Sequence, residues 1–212
     1  MPQKYNQLFK WNELTIDNPQ YIRYLRITGQ ANKDLLELCE VAFFDMDGNF
    51  VDLSDPTNPL FDEQELVPEA ASYMNSSYFD EIYHARTALE HIENIYPYEI
   101  THPPLGKLII GIGIRIFGMT PFGWRFMGTL FGLLMLPILY DFIKRMSGST
   151  KISVGGTVIF AFDFMHFVQT RIATIDTYSV FFILLMYLFM WRFVSGGKWR
   201  HLALSGIFFG LG

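Results

Sequence analysis

Two unlike halves predict the fold class: a small all-β sandwich at the N-terminus, then an α-helical region that crosses a membrane several times. Three observations carry this. Charged residues make up 17% of the 212 residues and hydrophobic residues 50%, whereas soluble domains carry about a quarter charged residues. The charges are unevenly placed: residues 1 to about 104 are mixed and rich in Asp and Glu, and from about 105 onward the chain is apolar with its few charges in clusters. The pattern also changes, from alternation at period two to long apolar runs.

The elements follow in order. Residues 20–29 (QYIRYLRITG) alternate large apolar and polar side chains, as a half-buried strand does. LCEVAFFDMDGNFVDL then places Asp47-Gly48 between two apolar runs, a hairpin signal. Residues 1–60 are therefore expected to form a β-rich domain, and it resembles an incomplete galactose-binding-like sandwich. DMDGNFVDLSD fits a calcium loop poorly, because counted from Asp45 the glycine falls at the fourth position instead of the sixth and no glutamate ends the loop. A linker with several prolines follows and runs through residues 61–76. Residues 77–94 read as a helix, with Ser77 as N-cap and Asp80 at capping-box spacing. YPYEITHPP ends it, since prolines disfavour helix before them.

Residues 105–118 are apolar but carry Lys107 and Arg115, and at this length they suit a helix lying in the interface. Residues 77–118 thus form an outer loop with interfacial helices, and 119–212 form the membrane region. Its spans are expected at about 122–143, 152–169 and 176–194, with a fourth beginning at 202–212. The sequence ends inside an apolar run and starts without a signal peptide, so it reads as a piece of a longer membrane protein, inactive by itself. Lys144, Arg145 and Lys151 follow the first span, and Arg192, Lys198 and Arg200 follow the third. Basic turns stay in the cytoplasm, which puts the β-rich domain, Asp80 and His102 on the outer face of a multi-pass plasma-membrane protein. The net charge of -5 excludes nucleic acid as the main partner, and the single Cys39 excludes a disulfide within the chain.

Ionisable groups then gather on that face: Asp80, Glu81 and His84; His102 with Lys107; Arg125; and Arg171 with Asp176. Charge at membrane depth is costly, so such groups are functional candidates. Mixed carboxylates and cations suit the binding of a lipid phosphate combined with proton transfer. Each also has a structural reading. Asp80 caps a helix, Glu81 is a solvated helix charge, His84 pairs one turn on with Asp80, and His102 punctuates a turn. Lys107 snorkels, Arg125 anchors a span, and Asp176 caps the third span and bonds to Arg171.

The ordered set YFDEIYHARTALEHI, THPPLGK, PFGWR and MHFVQTRIATID is similar to the protein O-mannosyltransferase family, in particular to its bacterial members, over about residues 78–212. The resemblance implies the C-type glycosyltransferase fold. It implies transfer of mannose, with inversion, from polyprenyl-phosphate mannose to Ser or Thr hydroxyls of exported proteins at the bilayer. By the same resemblance Asp80 is the catalytic base and Glu81 its partner at the acceptor. His84, His102, Lys107, Arg125, Arg171 and Asp176 are the further substrate-binding candidates. No cofactor is implied, no metal ligand is named, and the need for a divalent metal stays open. Two alternatives stand beside this: a related C-type enzyme moving another sugar to a lipid or glycan acceptor, and a membrane-anchored glycan-binding module.

Overall fold

The structure is a computed structural model that describes residues 10–16, 24–27 and 38–212. It contains two compact units, one over Trp11–Ser72 and one built on Tyr73–Gly212. In the first, β1 (Phe43–Phe44) and β2 (Phe50–Val51) pair antiparallel, with Phe43 opposite Val51 and Phe44 opposite Phe50. The hairpin turns where Asp47-Gly48 predicts it. Gly48 has φ 82°, a conformation that favours glycine. The Asp45 carboxylate accepts from the backbone N–H of Asp47 (2.9 Å) and Asn49 (2.8 Å), so it serves the turn itself. Beyond this hairpin the described residues contain no sheet, and the sandwich is not seen among them. The strand expected at 20–29 lies largely outside the described residues; its described part, 24–27, is not in a strand.

The second unit is helical. α1 (Glu81–Glu93) starts later than the sequence predicts. Ser77 does not cap it: Asp80 holds the N-cap position, and its side chain makes no capping bond. The Glu81 carboxylate instead accepts from Tyr78 N–H at 2.7 Å, and the turn before it places Phe79 at φ 55°. α2 (Pro104–Phe117) opens on a proline, whose missing N–H costs nothing in a first turn. α3 (Pro121–Ser147) is capped by Thr120, which accepts from Gly123 N–H, and ends on left-handed Gly148. A 27-residue helix is about 40 Å long, enough to cross a bilayer.

The span expected at 152–169 is broken. α4 (Thr150–Ala161) and α5 (Phe164–Gln169) are separate because the Asp163 carboxylate accepts from His166 N–H at 3.0 Å and starts a new helix. α6 (Asp176–Gly196) and α7 (Trp199–Leu211) complete the unit. Among the described residues, α3 and α6 are the helices long and apolar enough to cross a membrane. Leu133, Leu134, Val180 and Ile183 on these helices are exposed, as lipid-facing side chains are.

The core lies at one end. Ala85 and Ala88 of α1, Ile109, Ile110 and Ile114 of α2, Trp124 and Met127 of α3, and Ala173 and Tyr178 pack together there. α2 meets α3 backbone to backbone: a Cβ added at Gly113 would stand 2.3 Å from the Gly123 carbonyl oxygen. Thr129 donates to the Thr170 carbonyl at 3.0 Å, bringing residues 170–175 back to the start of α3. At the other end Asp141 of α3 pairs with Arg192 of α6 at 2.9 Å. The unit therefore has a carboxylate end, with Glu81 and Arg125, and a basic end, reached by the turns that carry Lys144, Arg145, Lys151, Lys198 and Arg200.

Candidate active site

The carboxylate end is organised around Glu81, which is fully buried. Arg125, one turn into α3, reaches it through two bonds, Nε to Oε1 at 2.7 Å and Nη2 to Oε2 at 2.6 Å. Oε1 also accepts from Ala173 N–H at 2.9 Å, and Oε2 from Tyr78 N–H. One carboxylate thus ties the start of α1, the start of α3 and the 170–175 turn together. Arg125 gives two further donors to the carbonyls of Tyr73 (2.6 Å) and Ser76 (2.9 Å). Two planar forks suit such a pair, and a lysine would not replace the arginine.

Asp80 differs from its neighbour in burial and in partners. It is half-buried, and its carboxylate has no hydrogen-bond or ion-pair partner among the described residues. Its carbonyl accepts from the N–H groups of Tyr83 and His84, so the helix holds its backbone and leaves the side chain free. Phe79, exposed and in the left-handed region, sits in the turn that leads into the acidic pair.

His84 lies one turn on and is 5% exposed, with Nδ1 buried and without a hydrogen-bond partner among the described residues. Its ring meets His102 edge to face, with centroids 5.7 Å apart. Burial holds the His84 imidazole below its ordinary 6.5, with the charges of His102 and Lys107 adding to this and those of Glu99 and Asp80 opposing it. His102 stands on the outer rim, 54% exposed at the side chain. Lys107 neither snorkels nor faces outward. It is 1% exposed, forms an ion pair with Glu99, and donates to the carbonyls of Glu99 (2.8 Å) and His102 (3.2 Å).

Arg171 is exposed and lies over the Phe167 ring, 3.6 Å from its centroid. Asp176 is exposed in the first turn of α6 and forms no ion pair with Arg171. The structure brings Glu81 to Arg125, and His84 to His102 and Lys107. Arg171 and Asp176 stay at the edge. Among the described residues, no group of three His, Cys, Asp or Glu stands where it could hold a metal ion.

Glu99 and Glu90 were missed in the sequence. Glu99 accepts from the N–H groups of Thr101 (2.6 Å) and His102 (3.2 Å), and its own N–H donates to Thr87 at 3.2 Å. Burial alone would raise the Glu99 carboxyl, but bonds from Lys107, Thr101 and His102 hold it well below the usual carboxylate range. Glu90 accepts from Tyr98 N–H at 2.6 Å and pairs with Arg86 at 2.8 Å. The signal for Glu99 was Lys107 itself: a lysine on an apolar helix needs a counter-charge, and Glu99 is the acidic residue just before the prolines.

A family model described as dolichyl-phosphate-mannose-protein mannosyltransferase matches residues 101–212. The chain belongs to this family. The matched range takes in His102, Lys107, Arg125, Arg171 and Asp176, and Asp80 and Glu81 precede it. The Glu81 bonds to Arg125 and Ala173 join the acidic pair to the matched part. The chain is similar to proteins named polyprenol-phosphate-mannose--protein mannosyltransferase. It is 32% identical to that of Mycobacterium tuberculosis over 64% of this chain and 24% of the relative. It is 33% identical to that of Corynebacterium glutamicum over 68% of this chain and 27% of the relative. It is 31% identical to that of Mycolicibacterium smegmatis over 63% of this chain and 24% of the relative. The chain thus spans only about a quarter of the length of these relatives. No solved structure gives a significant match.

Proposed function

We propose that the chain carries the base-bearing part of a membrane mannosyltransferase of the C-type fold, which moves mannose from polyprenyl-phosphate mannose to Ser or Thr hydroxyls of exported proteins. The observation that carries this is the contrast within the acidic pair. Glu81 is buried and saturated by Arg125, Tyr78 N–H and Ala173 N–H, whereas Asp80 is open and without a partner among the described residues. A hydroxyl is a weak nucleophile until a base takes its proton. In the proposed step the acceptor hydroxyl attacks C1 of mannose opposite the phosphate and its proton passes to the Asp80 carboxylate. The C1–O bond to phosphate breaks, the lipid phosphate leaves as an anion, and the configuration at C1 inverts.

Glu81, Arg125 and Lys107 are assigned to holding the site, because their polar groups are engaged with the protein. His102 and Arg171, both exposed, face the donor lipid headgroup in this reading, and His84 walls the space between Asp80 and His102. Asp176 lies at the acceptor side. The carboxylate end faces away from the cytoplasm, and the basic turns lie inside a multi-pass protein.

The test uses the full-length protein with polyprenyl-phosphate mannose and a Ser/Thr-rich peptide. The wild type yields mannosylated peptide, and Asp80→Asn lowers transfer by about 10²–10⁴-fold with folding intact. Unchanged transfer by Asp80→Asn removes the proposed base. Product with a lipid acceptor alone overturns the protein acceptor in favour of the related C-type reaction.

A further inference from the structure

We propose that Glu99 is a positioning residue for His102, fixing the ring nitrogen that His102 presents to the lipid-linked sugar donor. The inference rests on the donor-side role given to His102 above. No motif pointed to Glu99; the case for it is geometric.

Glu99 is held more firmly than its loop position requires. Its oxygens receive Lys107 and the Thr101 hydroxyl, together with the N–H groups of Thr101 and His102. Its own backbone is tied to Thr87 through N–H and to Lys107 through the carbonyl. Its side chain is 12% exposed. A buried ion pair is a poor source of stability compared with apolar packing, so the pair needs another reason to exist.

That reason lies at Oε1, which stands 3.2 Å from His102 Nδ1. An ionised carboxylate only accepts, so it selects the tautomer with the proton on Nδ1. The Thr101 hydroxyl, 3.1 Å from the same nitrogen, already donates to Glu99 and is free to accept from Nδ1 as well. Nε2 is then the nitrogen left for a ligand. The ring cannot swing freely, because the buried His84 ring meets it edge to face at 79°. The outcome is an imidazole fixed in tautomer and in plane, with over half of its side chain still open. Pre-set geometry of this kind lowers the ordering cost when a ligand binds.

The test is a double-mutant cycle in the full-length protein, in lipid nanodiscs, with polyprenyl-phosphate mannose and a Ser/Thr-rich peptide. Glu99→Gln raises the KM for the donor by about fivefold or more with kcat little changed. His102→Gln, whose amide falls near the place of Nε2, keeps lower donor KM than His102→Asn, whose amide falls near Nδ1. Adding Glu99→Gln to His102→Gln raises KM no further, since the ring to be positioned is gone. Should Glu99→Gln fail to fold, the same cycle is run with Glu99→Gln and Lys107→Met combined, which also removes the ammonium that Glu99→Gln leaves without its carboxylate. Independent, multiplicative effects of the two substitutions overturn the inference, and so does an Asn variant that outperforms Gln. No transfer by the wild-type protein overturns the reading of the site, and the inference with it. Wild-type transfer with an additive cycle overturns the inference alone.

Discussion

The two ends of the helical unit both carry charged groups and hold them in opposite ways. At the carboxylate end Glu81 is fully buried and Lys107 nearly so, and each is gripped by several partners from different elements. At the basic end Asp141 bridges Arg145 and Arg192, all three partly exposed, while Lys144 reaches only its own turn at Gly148 and Thr150. Exposed pairs are adjusted by solvent and contribute little; buried pairs fix geometry and are costly to break. The difference teaches where position matters. At the basic end the charges are met by solvent and by near neighbours. At the carboxylate end the buried groups each have one place, and beside them Asp80 stands half-buried with no side-chain partner among the described residues.

Three substitutions sharpen or break this contrast, in falling order of effect. Glu81→Ala leaves the Arg125 guanidinium and the Ala173 N–H without their acceptor, and should cost about 3–5 kcal/mol of stability. Thermal melting in detergent reads it, and Glu81→Leu with Arg125→Met should recover part of the loss. A loss as small as that of a surface pair would show that the interlock is not structural.

The second concerns His84, whose folded form resists protonation. As pH falls through 6.5 the unfolded ring takes a proton and the folded ring does not. Stability from this group is therefore full above that value and drains away as pH falls below it towards the lower folded value. Melting temperatures followed from about pH 8 to about pH 5 should fall more for the wild type than for His84→Gln. Parallel curves would mean that the ring is solvated in the folded protein.

The smallest effect is at the other end. Asp141→Asn should change stability by about 0.2–1 kcal/mol, less at high salt. A loss matching that of Glu81→Ala would erase the contrast between the ends.

Local chemistry accounts for what could be read directly. The hairpin at Asp47-Gly48 was legible because its turn needs a glycine at positive φ. Helices α3 and α6 were legible from length and apolar content alone. The break between α4 and α5 was not, since hydropathy does not register that Asp163 caps a helix within an apolar run. The start of α1 was misplaced for a related reason. The capping-box spacing at Ser77 and Asp80 is real, but Glu81 binds Tyr78 N–H and Arg125 together, and the tertiary bond outweighs the local one. Lys107 was expected among the substrate-binding groups, and its engagement by Glu99 was not legible because that counter-charge belongs to a different segment.

The sequence by itself determined the apolar helices and the gathering of the basic residues in the turns after the first and third spans, because composition and spacing act over a few turns of chain; the acidic pair was singled out only by the family resemblance. Only the tertiary structure decided which member of that pair is free. Asp80 and Glu81 are adjacent and nearly identical in chemistry, and the local difference is only the Tyr78 N–H that Glu81 accepts. Arg125 and Ala173 N–H, 44 and 92 residues away, choose Glu81 and leave Asp80 open.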